Sequence, residues 1–265
     1  MKRFTFLRDM KIIAPWKTLR VHADEILKDQ RLRYIMDRYA TYSGSDPRKA
    51  PAVLSTIAFV EESFGAWHVK GGLGQLAATV YQRALDVGVT FHLDSPDAAI
   101  NTAGKKVTGV TLADGTVVEA DAVVANADAS LVYNKLITGN KRALKKARKN
   151  IEKADVSVAG FCLLLGMRKD PEQVLNHHTI LFPENYEAEF DAIFTDGKPV
   201  EKPTIYICAP QDPAMSKDET LEGWFVLVNA PTHGQFDWND KEFARNYANT
   251  IIDQIEARGI SVRDR

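Results

Sequence analysis

KVTGVTLADGTVVE, residues 106–119, carries the clearest β-structure signal in the chain. Apolar and polar residues alternate on both sides of Asp114-Gly115, and an Asp-Gly pair between two alternating runs is typical of a β-hairpin. The segment therefore predicts two antiparallel strands, at 106–112 and 116–119, joined by a tight turn.

Helices and strands are predicted on both sides of this hairpin. Short apolar runs predict strands at 89–93 and 121–125, the second of them buried. Apolar residues at helical spacing predict a helix over 75–86, which Gly88 ends. Further helices are predicted within 4–40, from residue 50 onward and over 129–150, and the second half predicts strands at 156–167, 178–182, 204–209 and 223–229 before an amphipathic helix over 240–258. This succession favours an α+β fold with a mixed or antiparallel sheet.

The composition is that of a globular protein and does not suggest a nucleic-acid partner. Of the 265 residues, 45% are hydrophobic and 26% are charged, and the formal net charge of −1 lacks the basic excess of nucleic-acid-binding domains. No apolar run reaches the ~20 residues of a membrane span, so any membrane contact is expected to be peripheral. Cys162 and Cys208 stand outside any CxxC or Cys/His motif, which favours a reducing cytoplasm.

One glycine-rich motif is a candidate dinucleotide site. Gly72-Leu-Gly74-Gln-Leu-Ala77 fits the G-x-G-x-x-G/A fingerprint and opens a helix, and Asp94 follows Gly74 by twenty residues, where an acid would bind a ribose. The preceding segment, 66–70, is short and polar, whereas a buried parallel strand should be continuously apolar. A tight turn before a helix is therefore the favoured interpretation, and an NAD(P) site on residues 72–77 is the alternative.

The histidines and serines do not predict a metal or hydrolase site. None of the six histidines belongs to an HExxH or similar ligand pattern, and the adjacent His177 and His178 are expected to point to opposite faces of a strand. No G-x-S-x-G elbow occurs. The sequence thus predicts no metal site.

Two charged features each have two interpretations. Residues 141–149 carry six basic side chains in nine positions, which would attract anionic lipid headgroups by ~1 kcal/mol each or form a solvated helix face. Arg8 and Asp9 lie among apolar residues, as a structural ion pair or as charged groups beside a substrate. From the residues alone, the solvated face and the structural pair are favoured.

Several segments, taken in order, resemble the bacterial-type phytoene desaturases of the flavin amine-oxidase superfamily. One such segment would be weak support, whereas an ordered set that runs from one end of the chain to the other is specific. The segments are FLRDMKIIAP (6–15), YSGSDP (42–47), FGAWHVKGG (64–72), LADG (112–115), VANAD (124–128), HHTILF (177–182), AIF (192–194), YICAP (206–210) and FVLVNAP (225–231).

The resemblance implies an enzyme that removes hydrogens from a long polyene such as phytoene by means of FAD. It divides the chain into a helical part of the substrate domain (1–68), a mid-chain segment of the FAD-binding domain (69–129), and the sheet and helices of the substrate domain (130–265). Family members are nearly twice as long, with a glycine-rich FAD fingerprint upstream and a second flavin segment downstream of the matching region. The chain alone is therefore expected to bind FAD poorly and to be inactive.

The resemblance also assigns cofactor-binding residues. Lys70, Gly71 and Gly72 match a loop near the flavin and the substrate. Asp97 matches a position whose backbone meets the adenine, although relatives usually carry a hydrophobic residue there. Asn126 lies in the matching mid-chain segment of the FAD-binding domain.

Arg8 and Asp9 match a polar pair near the substrate channel, which makes them candidate catalytic residues that handle protons. Because the substrate of this family lives in the bilayer, the enzyme is expected in the cytoplasm at the membrane surface. An isoprenoid or lipid carrier without redox activity is an alternative, which requires a continuous apolar tunnel. The sequence does not set the oligomeric state.

Overall fold

The computed structural model describes residue 10 and residues 14–95, 99–139, 141–154, 156–232 and 236–265. The chain divides into two compact units, a discontinuous unit of residues 1–79 and 157–265 and an inserted unit of residues 80–156. The domain boundaries that the resemblance implies stay a prediction.

The described residues form helices and strands in alternation, which confirms the predicted α+β class. In chain order the elements are α1 (Leu19–Ile26), α2 (Gln30–Arg38), two 3-10 helices (Tyr39–Ser43 and Ala52–Leu54), α3 (Ser55–Phe64), α4 (Leu73–Asp86), β1 (Ala99–Ala103), β2 (Lys106–Thr111), β3 (Val117–Glu119), α5 (Ala129–Leu131) with a π-helical extension (Val132–Leu136), β4 (Ile137–Thr138), α6 (Lys141–Glu152), β5 (Ala159–Arg168), β6 (His178–Leu181), α7 (Glu187–Asp191) with a π-helical extension (Ala192–Asp196), β7 (Ile205–Cys208), a 3-10 helix (Pro213–Met215), β8 (Leu221–Ala230) and α8 (Lys241–Glu256).

Side-chain caps fix the first two helices. The Thr18 hydroxyl accepts a hydrogen bond from the first turn of α1, and the Asp29 carboxylate does the same for α2. A small apolar core holds these helices to the turns that follow. It consists of Leu19, Ala40 and Ala50, with Met36, Tyr39 and Leu54 packed against it.

The main core lies on one face of an antiparallel sheet in the discontinuous unit, whose strand order is β5-β8-β7-β6. Successive side chains alternate between the two faces of a strand, and one face packs with α8. The buried residues of this core include Met167, Ile205, Ile207, Trp224, Val226, Val228, Tyr247, Ile251 and Ile255. The four strands and the final helix predicted for the second half are confirmed.

A buried carboxylate joins separate segments beside this core. Glu189 of α7 is fully buried and accepts hydrogen bonds from the Thr204 N–H at 2.6 Å and the Asn229 amide at 2.9 Å. The Tyr247 hydroxyl donates to the Val200 carbonyl at 3.1 Å. These bonds satisfy polar groups that would otherwise be buried without partners.

The inserted unit contains the second sheet, with strand order β3-β2-β1-β4. The predicted hairpin is confirmed, since β2 and β3 pair antiparallel and the Leu112 N–H donates to Thr116 across the turn. β4 pairs parallel to β1. The register of β1 shifts between Asn101 and Thr102, opposite Gly109.

The strands predicted at 89–93 and 121–125 are wrong. Neither segment has a partner strand among the described residues, and the second is exposed rather than buried, with Val124 94% exposed. The other strands of this sheet are β1 and β4, which were not predicted because their sequences lack a clear apolar pattern. The helix predicted over 129–150 is interrupted because residues 137–138 pair with β1.

No helix in the described part of the chain is long and apolar enough to span a bilayer.

Candidate functional site

Part of the sheet face opposite α8, around Leu164, Gly166, Gly223 and Phe225, is apolar and open, and we call this part the open sheet face. The strand register places Leu164, Phe225, Cys208 and His178 in one row across all four strands. Leu164 is 79% exposed and Phe225 38% exposed. The row thus combines two exposed apolar side chains with a thiol and an imidazole, and contiguous exposed apolar surface is typical of a binding site.

Glycines widen the open sheet face next to this row. Gly166 and Gly223 face each other in the register of β5 and β8, and a Cβ at either position would meet no atom within 4 Å. A groove of about 340 Å³ runs here, and its walls include Leu164, Met215 and Phe225. The walls of the groove are thus mainly apolar.

The residues Lys70–Gly72 form a turn at the start of α4, which we call the glycine loop. Gly71 and Gly72 have φ angles of +80° and +83°, which L side chains rarely adopt. A Cβ on Gly72 would lie 3.2 Å from the side chain of Met215. The glycine loop therefore packs directly against a residue that lines the groove.

The glycine loop does not form a phosphate cradle. The Gly71 N–H donates to the Asp212 carboxylate at 2.6 Å, and the Gly72 N–H donates to the Val69 carbonyl at 2.7 Å. Gly74 lies inside α4 with no atom close to its Cβ position, so close packing does not require a glycine there. With no strand at 66–69 or 89–93, the NAD(P) alternative on residues 72–77 has no structural support.

A chain of hydrogen-bonded histidines extends from the glycine loop to the open sheet face. His68 Nε2 lies 2.9 Å from Asp212, and His68 Nδ1 lies 3.3 Å from His177 Nε2. His177 Nδ1 lies 3.1 Å from His178 Nε2, and His178 Nδ1 lies 2.6 Å from the Tyr206 hydroxyl. With neutral rings, each group donates to the next in the direction of Asp212.

The electrostatics of these hydrogen-bonded side chains favour a carboxylate at the Asp212 end and neutral groups at the Tyr206 end. The pKa of Asp212 is lowered to about 2, mainly by the hydrogen bond from the Gly71 N–H and next by the one from His68. The pKa of His178 is lowered by burial and by His177. Burial also raises the pKa of Tyr206, with a further contribution from Cys208.

The expectation that His177 and His178 point to opposite faces is wrong. His177 precedes β6, which begins at His178, so strand alternation does not apply to it. The Sγ of Cys208 lies 3.9 Å from His177 Nδ1. Sequence spacing missed this cluster because β7 and the segment before α4 bring its members together from distant positions.

The sequence-predicted site residues are only partly brought together. Lys70, Gly71 and Gly72 form one loop in the discontinuous unit, and Lys70 is exposed. Asn126 is exposed in an irregular segment of the inserted unit. The remaining three, Arg8, Asp9 and Asp97, lie outside the described residues.

The comparisons with known proteins agree with the resemblance. The family described as flavin containing amine oxidoreductase matches residues 2–189 of the chain. The chain therefore belongs to this family, for which FAD is the implied cofactor.

Several individual relatives are named as enzymes that act on carotenoids or their precursors. A zeta-carotene-forming phytoene desaturase from Myxococcus xanthus is 36% identical over 83% of this chain and 42% of its own length. A lycopene-forming phytoene desaturase from a Paracoccus species is 31% identical over 94% of this chain and 49% of its own. A 4,4'-diaponeurosporene oxygenase from Staphylococcus haemolyticus is 28% identical over 96% and 50%. The chain spans about half the length of the curated relatives it matches.

The glycine loop does not suit the pyrophosphate of FAD, although it has a charged side chain that could contact another part of the cofactor. Its N–H groups are already bonded to Asp212 and Val69, so the loop does not hold the pyrophosphate. The exposed ammonium group of Lys70 can contact an electron-rich ring or an anionic group. That this loop lies beside the flavin stays a prediction from the resemblance.

Proposed function

We propose that the chain supplies the substrate-binding part of an FAD-dependent desaturase that acts on a long carotenoid precursor such as phytoene. The substrate domain would comprise residues 1–68 and 130–265, and residues 69–129 would contribute to the FAD-binding domain. The observation that carries the proposal is the open sheet face, an exposed apolar surface that adjoins the glycine loop in a chain related to carotenoid desaturases.

The open sheet face would bind the polyene by the hydrophobic effect. Transfer of hydrocarbon from water is favourable by about 0.8 kcal/mol per methylene-sized group, so a row such as Leu164 and Phe225 needs no polar partner to hold a polyene. Gly166 and Gly223 leave room for a flat chain close to the backbone. FAD, when bound, supplies the hydride acceptor.

The protein's own part in the chemistry is orientation, exclusion of water and removal of a proton. Lys70 of the glycine loop would contact the flavin, Asn126 and the Asp97 backbone would contribute on the side of the FAD-binding domain, and Arg8 and Asp9 would handle the proton.

Peripheral membrane binding is part of the proposal, because the substrate is insoluble in water. Lys145, Lys146 and Lys149 of α6 are exposed, and they would attract anionic lipids.

The isoprenoid-carrier alternative requires a continuous apolar tunnel. One pocket among the described residues, of about 690 Å³, has walls that include Glu184, Asp196, Lys198 and Arg258. These charged side chains do not suit a hydrocarbon.

A substitution on the open sheet face tests where the polyene binds. Leu164→Lys keeps the fold because the side chain is 79% exposed, and it places a charge where the substrate would lie. We expect roughly a tenfold or greater loss of desaturated products, since a loss of 1.4 kcal/mol in binding already gives tenfold.

The measurement is the absorbance of carotenoids extracted from a phytoene-accumulating host that expresses the reading frame with its native flanking sequence. Leu32→Lys, at a position 50% exposed on α2, is the matched control and should retain activity. Unconverted phytoene with the unaltered protein would refute the desaturase assignment. Equal conversion by Leu164→Lys would refute only the position of the substrate.

A further inference from the structure

His177, His178 and Cys208 bring three metal-binding atoms to one place beside the groove. Their ligand atoms all lie within 4.8 Å of one another. His177 Nδ1 lies 3.1 Å from His178 Nε2 and 3.9 Å from Cys208 Sγ. In a tetrahedral zinc site, with metal–ligand bonds of about 2.0–2.3 Å, neighbouring ligand atoms are roughly 3.3–3.7 Å apart. Small side-chain rotations would therefore give this geometry.

The groups around these atoms orient both imidazoles as ligands. His177 Nε2 faces His68, which in turn donates to Asp212. His178 Nδ1 faces the Tyr206 hydroxyl. Metal-binding histidines usually have their second nitrogen held by a partner of this kind, which fixes the ring. A cation would displace the contacts among the three ligand atoms and keep the bond from His177 to His68. The His178 proton would move to Nδ1, which would then donate to the Tyr206 hydroxyl.

We propose that His177, His178 and Cys208 bind a divalent zinc-class metal ion, with one coordination position open. Imidazole and thiolate select zinc, cobalt or copper over magnesium and calcium, which prefer oxygen ligands. Three protein ligands and an open position are the pattern of a site that can also bind a water or a substrate group. Because Cys208 lines the groove, the ligand set lies at the groove wall. The site requires neither FAD nor a polyene, so it extends beyond the proposed function.

Cobalt(II) tests the ligand set directly. The untagged chain, treated with a chelator and a reductant and then dialysed, is titrated with Co²⁺. We expect visible d–d bands of a tetrahedral complex and a near-ultraviolet thiolate-to-cobalt charge-transfer band at one equivalent. Cys208→Ser should abolish the charge-transfer band, whereas Cys162→Ser, which alters the other free cysteine of the chain, should retain it. His68→Phe should weaken binding about 10–100-fold, as losses of an outer partner do.

A measurement on the unaltered chain avoids any effect of substitution on folding. Zn²⁺ at one equivalent should slow alkylation of Cys208 by iodoacetamide and leave Cys162 unaffected, as read by peptide mass spectrometry. Two results would overturn the proposal: no charge-transfer band with the folded chain, or equal alkylation of Cys208 with and without Zn²⁺. The histidines would then form a hydrogen-bonded chain only. Neither readout depends on desaturase activity.

Discussion

Asp37 of α2 is a carboxyl group that is only 1% exposed. Arg20 donates a hydrogen bond to it at 2.8 Å and also pairs with Glu187. Burial raises the pKa of Asp37 to about 6 despite the opposing attraction of Arg20. Desolvation therefore outweighs the ion pair, as it commonly does for a buried charge.

This shift predicts a pH dependence of stability. Because the pKa of Asp37 is higher in the folded state than its ordinary value of 3.8, protonation favours the folded state. The contribution is complete below about pH 4 and is lost as the pH rises through about 6. The free energy of unfolding of the unaltered protein should thus fall relative to Asp37→Asn by about 2 kcal/mol between pH 4 and 7.

Urea denaturation of both proteins at several pH values measures this difference, and the other titrating groups cancel in the comparison. A difference that stays constant with pH would show that the pKa of Asp37 is not raised in the folded state.

At this scale the sequence predicted the loop around Gly71 and Gly72 but not its partners. Their positive φ angles agree with a glycine-rich turn, whereas the bond from Gly71 to Asp212 joins positions 141 residues apart. The cluster of His177 and Cys208 was missed for the same reason. His177 and Cys208 lie close together only because of the register between β6 and β7. That register cannot be predicted from the order of residues within either segment.

Among the elements, the β2–β3 hairpin depends on one glycine. Gly109 has a φ angle of +145°, and a Cβ there would lie 2.1 Å from the Val118 carbonyl oxygen. Gly115, in the turn, also has a positive φ angle, of +87°, but a Cβ there would meet no atom within 4 Å. Both glycines have a positive φ angle, but only Gly109 has a close steric contact. Comparing substitutions at the two positions therefore separates the cost of the backbone conformation from the cost of the contact.

Gly109→Ala should therefore destabilise the inserted unit more than Gly115→Ala. At Gly115 the strain of a left-handed residue costs about 1–2 kcal/mol, and at Gly109 the clash with β3 adds to it. Thermal unfolding followed by circular dichroism gives the comparison. Equal melting temperatures for the two variants would show that β2 and β3 separate easily at this point.

Elements with strong local signals were predicted, and elements that depend on pairing were not. The hairpin and α8 have alternating or helical patterns that are sufficient by themselves. The runs at 89–93 and 121–125 have equally apolar patterns but no partner strand in the described residues. β4 consists of two residues that become a strand only by pairing with β1.

At the scale of the whole molecule, the main feature is a large exposed apolar surface. It lies along α4 and the segment after it. Val80 is 61% exposed, Val87 60% and Leu93 67%. Their apolar spacing predicted the helix over 75–86, which is confirmed, and the strand at 89–93, which is wrong. Exposed apolar surface of this extent binds hydrophobic dyes and promotes association.

The chain in isolation should bind the dye ANS, and Val80→Lys together with Leu85→Lys on α4 should lower the fluorescence. The free energy of unfolding should change by no more than about 0.5 kcal/mol, as is usual for surface substitutions. Gln82→Lys, on the same helix, adds charge without removing apolar area and is the control. Unchanged fluorescence in the double variant would mean that this surface is covered in solution.

Glu189 has a consequence for how this chain tolerates insertions. Its single carboxylate is shared by the backbone before β7 and by an amide in β8, so the spacing of three distant parts of the chain is coupled. Insertions between residues 189 and 204 would need to restore both bonds at once. Evolution can therefore lengthen this loop only by adding a self-contained bulge that leaves its two ends in place.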